Sequence, residues 1–104
     1  MWKEIVESFT SNPRDVKSIP ITKRTPVWFY VYMENGRIYV EGAKDHIPSS
    51  NISTRRLLSP ENNMVETMFD IYQRRKSGEP VSAEATAVTV NQIYWYGIFA
   101  DMGF

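Results

Sequence analysis

The dipeptide Asn35-Gly36 is the feature that most constrains how this chain folds. It lies between residues 27–33 and 37–41, two runs that are rich in residues favouring β-strands. Asn-Gly is typical of a two-residue type I′ turn, because both turn positions need a positive φ. The sequence therefore predicts an antiparallel hairpin in which Glu34 pairs with Arg37 and Tyr30 pairs with Glu41.

The predicted register divides the hairpin side chains between two faces, since successive side chains on a strand point to opposite sides. The face predicted to lie against the core is apolar and carries Phe29, Val31, Met33, Ile38 and Val40. The other face combines rings and charges and carries Trp28, Tyr30, Tyr32, Glu34, Arg37, Tyr39 and Glu41. A two-stranded hairpin is marginally stable alone, so helices have to cover it or a partner chain has to extend it.

Helical spacing of apolar residues appears on both sides of the hairpin. Near the N-terminus, a stripe from Trp2 to Phe9 predicts a short helix that ends before Pro13. The order Ser59-Pro60-Glu61 is typical of a helix start and predicts a helix over residues 61–77. Gly78 is expected to end that helix.

The last part of the chain, residues 81–104, has conflicting signals. Its β-branched and aromatic residues favour a strand, whereas Thr89–Gln92 matches a capping box and the apolar residues that follow have helical spacing. We predict two helices, over residues 82–87 and 90–102, with Gly103 closing the second.

The predicted fold class is therefore α+β, in one domain over residues 1–104. An N-terminal helix and an antiparallel β-hairpin, part of a small sheet, are packed by a helical C-terminal half. The connector of residues 13–26 is expected to be extended, with a short edge strand around residues 19–21. Residues 42–54 are expected to form a loop with a brief strand near Ile52.

Composition excludes several functional classes. The chain has 104 residues, with 12 Lys and Arg against 12 Asp and Glu, so it is neither a basic nor an acidic protein. It has no Cys and only one His, which leaves no thiol nucleophile or zinc-thiolate cluster, and we expect no cofactor and no metal. No apolar run approaches the roughly 18 residues of a membrane span. The N-terminus also lacks a secretory pattern, and we expect a cytoplasmic location.

Signatures of catalysis are weak in this sequence. His46 lies beside Asp45, with Ser49 and Ser50 close by, but proximity along the chain does not create the geometry of a catalytic triad. The segment is more simply a polar loop. We therefore do not predict an enzyme.

The aromatic face of the hairpin is the first candidate for a functional surface. Its members are Trp28, Tyr30, Tyr32, Arg37 and Tyr39. Tyr, Trp and Arg are enriched in protein interfaces, which favours docking of a protein partner or of a second copy of the chain. Two alternatives are that other helices cover this face and that its rings stack on nucleic-acid bases. The first hypothesis is accordingly a non-catalytic interaction module that self-associates or docks a protein.

The second hypothesis is a small DNA-binding regulator. A short helix, a tight turn and a second helix within residues 82–102 would resemble a helix-turn-helix. The candidate phosphate contacts are Arg55, Arg56, Arg74, Arg75 and Lys76. Asn91 and Gln92, at the start of the last helix, are residue types that pair with adenine edges.

Several short runs resemble a wider group of proteins. They are residues 28–31, 35–41, 74–76, 78–79 and 91–96. These runs look like those of small uncharacterised bacterial proteins that are carried on mobile elements such as prophages and integron cassettes. The resemblance implies an origin and brings no catalytic or binding residues with it.

Overall fold

A computed structural model describes residues 1–21 and 24–104 of the chain. Within these ranges the helices are α1 (Trp2–Ser11), α2 (Val65–Lys76), α3 (Ser82–Val88) and α4 (Gln92–Asp101). The strands are β1 (Arg14–Lys17), β2 (Trp28–Glu34), β3 (Arg37–Gly42) and β4 (Arg56–Leu58). The strands form an antiparallel sheet in the order β1-β2-β3-β4. This architecture confirms the predicted α+β class, with an N-terminal helix, a central hairpin and C-terminal helices.

The hairpin of β2 and β3 has the predicted turn and register. Asn35 and Gly36 have φ values of 52° and 76°, as a type I′ turn requires. Glu34 pairs with Arg37 and Tyr30 pairs with Glu41. Because the register is correct, the division of side chains between two faces is correct as well.

The apolar face of the sheet lies against the helices and forms the core. Four of its five predicted members, Phe29, Val31, Ile38 and Val40, are at most 1% exposed. Met33, next to the turn, is only partly buried. Helix α1 packs on β2 and α4 packs on β1. Burial of each large side chain contributes about 1.5–3 kcal/mol, so this face stabilises the fold.

Helix α4 approaches the sheet closely at Gly97. A Cβ atom at this position would lie 2.8 Å from Cζ of Phe29 and 3.1 Å from the carbonyl oxygen of Lys17. The residues around it, Trp95 and Phe99 among them, are fully buried. The glycine therefore allows the helix backbone to rest directly on the Phe29 ring.

The edge strands lie elsewhere than the sequence predicted. The first edge strand is β1 instead of residues 19–21, because Val16 faces the core opposite Phe29 and Pro20 has no N–H to donate to a ladder. The other edge strand is β4 instead of a strand near Ile52, because the buried Leu58 pairs with Ile38. Residues 22 and 23 of the predicted connector lie outside the described residues.

Helix α2 begins at Val65, four residues later than predicted. Ser59 accepts the N–H of Asn62 through its side chain, at 3.1 Å, and closes a turn that does not continue into the helix. Met64 separates the two, with a left-handed φ of 52°. At the other end, Gly78 has the positive φ of a Schellman ending, as expected, and its N–H donates to Arg75.

The ambiguous C-terminal segment is helical, and the two predicted helices are confirmed as α3 and α4. The capping box is not formed as predicted. The Thr89 hydroxyl accepts the N–H of Asn91, at 3.0 Å, and Asn91 is the residue that precedes α4. Gly103 ends the segment with a φ of 79°. In the described ranges, no helix is both long and apolar enough to cross a membrane.

Candidate functional site

The sheet presents its aromatic side away from the helices, and we name this side the outer face. Its rings are those of Trp28, Tyr30 and Tyr32 on β2 and Tyr39 on β3. All four rings are partly exposed, and none belongs to the buried core or to the side chains packed against it. The outer face is therefore an aromatic surface that the described helices leave accessible.

Three tyrosines of the outer face have neighbouring rings, and we name them the tyrosine row. The ring centroids of Tyr30 and Tyr32 are 5.7 Å apart, and those of Tyr32 and Tyr39 are 5.6 Å apart. A cation lies at each end of the row: Nζ of Lys44 is 5.0 Å from the Tyr30 ring and Cζ of Arg55 is 4.1 Å from the Tyr39 ring. Such contacts restrict the conformations of these side chains.

Arg55 connects the tyrosine row to the end of the hairpin. Its Nη1 donates to the hydroxyl of Tyr32, at 3.2 Å, and to the carboxylate of Glu34. These two hydrogen bonds raise the pKa of the Arg55 guanidinium above its ordinary value. The sequence had suggested Arg55 as a phosphate contact. The structure places it beside an acid on the aromatic surface.

A loop of residues 43–46 is attached to the other end of the outer face by Asp15 of β1. The Asp15 carboxylate is 1% exposed and accepts the backbone N–H groups of Lys44, Asp45 and His46 at 2.8–3.1 Å. It also contacts Nδ1 of His46, at 2.8 Å, and the imidazole stacks on the ring of Trp28 at 3.8 Å. The loop therefore covers one side of the Trp28 ring.

The same contacts set the ionisation of Asp15. Burial alone would raise its pKa, but the hydrogen bonds from the Lys44 N–H, His46 and the Asp45 N–H outweigh burial and hold the pKa below 3.8. The sequence does not indicate Asp15, because the acid beside His46 along the chain is Asp45. No local pattern indicates a contact between residues that are 31 positions apart.

The Asp15–His46 pair has the residue types of two members of a catalytic triad, but Ser49 does not complete it. The Ser49 hydroxyl accepts the N–H of Ala43, at 2.9 Å, and donates to the carbonyl of Ser50, at 3.1 Å. Its proton is thus held by a carbonyl and not by the imidazole. In the part of the chain that the structure describes, no cluster of three or more His, Cys, Asp or Glu side chains is arranged to hold a metal ion.

The basic residues at the end of α2 make contacts within the chain. Arg74 contacts Asp70, Glu79 and Glu84, and the hydrogen bond with Glu84 raises the pKa of Arg74. Arg75 donates to the carbonyl of Ile19, at 2.6 Å, and Nζ of Lys76 donates to the carbonyl of Phe104, at 2.5 Å. None of these contacts involves Arg55 or another residue of the outer face.

The side chains of Asn91 and Gln92, at the start of α4, also make hydrogen bonds within the chain. Asn91 is 8% exposed, and its side chain accepts from Arg56 and donates to Asn63. Gln92 donates to the hydroxyl of Thr86, at 3.3 Å. Residues 95–99 of the helix are all buried. A helix that reads DNA has to present base-contacting side chains to the groove, so this placement gives the DNA-binding hypothesis little support.

Comparison with known proteins identifies no relative of this chain. No protein-family model matches the chain, and neither the curated proteins nor the solved structures contain a significant match. The mobile-element origin that the sequence runs suggested therefore stays a prediction.

Proposed function

We propose that this protein is a non-catalytic binding module that associates with a second copy of its own chain through the outer face. The observation that carries the proposal is the group of four partly exposed rings on the side of the sheet opposite the helices. Trp, Tyr and Arg are the residue types that supply most of the binding energy in protein interfaces. Leu57, 42% exposed, extends this surface because it pairs with Tyr39 on the same face.

The charges of the outer face favour a protein over a nucleic acid. Arg55 is paired with Glu34, and Nζ of Lys44 is 3.2 Å from the Glu41 carboxylate. A single-stranded nucleic acid needs a track of cations for its phosphates and open ring faces for its bases. On this surface the acids offset the cations, and Lys44 and Arg55 lie over the outer rings of the tyrosine row.

The same charge balance favours a second copy of the chain as the partner. Homodimers use one patch on both subunits, so the patch has to be complementary to itself. A patch with both signs, in a chain whose formal net charge is +0, does not repel its own copy. Exposed rings that are already restricted by neighbouring side chains also lose little side-chain entropy on association.

Sedimentation over a range of protein concentrations tests the proposal. We expect the apparent mass of the wild-type chain to rise with concentration. The Leu57→Glu variant should weaken association at least about tenfold, because it buries an unpaired charge in the interface. The matched control is Val90→Glu, since Val90 is 79% exposed and precedes α4, away from the outer face.

Two outcomes contradict the proposal. One is a wild-type chain that stays monomeric at every concentration tested. The other is equal weakening by Leu57→Glu and Val90→Glu, which would show that association does not depend on the outer face. Circular dichroism of both variants checks that each one folds.

A further inference from the structure

A cleft of about 390 Å³, to which no residue of the outer face contributes, lies between the segments 18–21 and 24–27 and the helices α2 and α4. Small-molecule sites in proteins have volumes of about 300–1,000 Å³, so the cleft is large enough for a small ligand. Its apolar lining includes Ile19, Ile21, Val81 and Ile93. Ile21 and Ile93 are 69% and 43% exposed, so this lining presents apolar surface to solvent.

The charged side chains among the described lining residues of the cleft are all of one sign. Arg24 and Arg75 line it, and none of the described lining residues is an Asp or a Glu. The Arg75 guanidinium lies 4.4 Å from the centroid of the Tyr96 ring and uses Nη2 to bind the carbonyl of Ile19. Its Nε and Nη1 groups have no acceptor among the described residues.

The environment of Arg75 contrasts with that of its neighbour Arg74. Arg74 contacts three carboxylates outside the cleft, whereas the groups that act on Arg75 are the phenols of Tyr96 and Tyr72. Burial lowers the pKa of Arg75, but an arginine keeps its charge at neutral pH. A partly buried cation without a counterion favours an anionic ligand, because pairing offsets its desolvation.

We propose that this cleft binds a small amphipathic carboxylate. The carboxylate would accept a hydrogen bond from Nε or Nη1 of Arg75, and such charge-assisted hydrogen bonds are stronger than neutral ones. The hydrocarbon part would lie against Ile19, Val81 and Ile93. This proposal is independent of association through the outer face, because the two sites share no residue.

Titration of the ¹⁵N-labelled protein with sodium octanoate, followed by NMR, tests the proposal. We expect saturable shifts for residues of the cleft, and weaker binding of octanol, which has the same chain without the charge. Arg75→Gln should weaken octanoate binding at least about tenfold, as expected for loss of a charge-assisted hydrogen bond. Arg74→Gln is the matched control, and it should leave octanoate binding unchanged.

A second variant keeps the proposal testable if Arg75→Gln does not fold. Ile93→Glu places an acid at an exposed position of the cleft and should also weaken octanoate binding, while octanol binding changes less. The proposal is overturned if octanoate gives no saturable shifts, if octanol binds equally well, or if Arg74→Gln and Arg75→Gln weaken binding equally. Because none of these outcomes involves the outer face, the result is separate from that of the sedimentation test.

Discussion

The two faces of the sheet carry similar rings in different surroundings. Phe29 and Tyr30 are neighbours on β2, yet Phe29 is fully buried and Tyr30 is partly exposed. The Phe29 ring meets Tyr94 edge-on, with centroids 5.1 Å apart, and lies under Gly97 of α4. Tyr30 contacts the Tyr32 ring and the ammonium group of Lys44. The apolar face therefore packs the sheet against the helices, whereas the side chains of the outer face contact mainly one another.

The largest loss of stability is expected for a substitution on the apolar face of the sheet. Phe29→Ala should lower the free energy of unfolding by about 3–5 kcal/mol, because it leaves a cavity between the sheet and α4. Urea denaturation followed by circular dichroism measures the change. A loss below about 1 kcal/mol would show that the helices do not depend on this ring.

An intermediate effect is expected where a loop is attached to the outer face. Asp15→Asn should cost about 1–3 kcal/mol at neutral pH, since one carboxylate oxygen that accepts backbone N–H groups becomes a donor. The variant should also free the loop of residues 43–46. Faster amide hydrogen exchange at His46, compared with the wild type, would report that release.

The same variant tests the pH dependence of stability. The pKa of Asp15 is lower in the folded protein than its ordinary value of 3.8. Its carboxylate therefore stabilises the fold fully above that value, and the contribution is lost as the pH falls through the folded pKa. The difference in unfolding free energy between wild type and Asp15→Asn should shrink in acid. A constant difference down to pH values well below 3.8 would contradict this assignment.

The smallest effect is expected for Tyr30→Ala on the outer face. It removes one ring from the tyrosine row and leaves the core intact, so the cost should be about 1 kcal/mol or less. Urea denaturation of Tyr30→Ala and of Phe29→Ala compares two neighbouring residues of the same strand, one on each face. Equal losses for the two variants would mean that Tyr30 is covered by some other part of the chain.

The hairpin was predictable because its determinants are local. Asn35-Gly36 sets the turn, the turn sets the register, and the register assigns each side chain to a face. The edge strands were not predictable in this way. The position of β1 depends on the pairing of Val16 with Phe29, and that of β4 on the pairing of Leu58 with Ile38. Both pairings join segments that are distant along the chain.

The same distinction applies to α2 and to the outer face. The end of α2 followed from Gly78, but its start depends on Met64, whose left-handed backbone no residue preference indicates. The rings of the outer face followed from strand alternation. The contacts of Asp15 with the loop and of Arg55 with Glu34 did not, because each joins different elements of the fold.

Gly97 has a consequence for how this sequence can vary. The Phe29 ring lies directly against the backbone of α4 at Gly97, with no side-chain atom between them, and this contact sets the distance between the helix and the sheet. The methyl group of an alanine at position 97 would clash with the Phe29 ring and push α4 away from the sheet. A smaller side chain at position 29 would relieve that clash. The two positions should therefore tolerate change only together, so that a pair of substitutions survives selection where each one alone is eliminated.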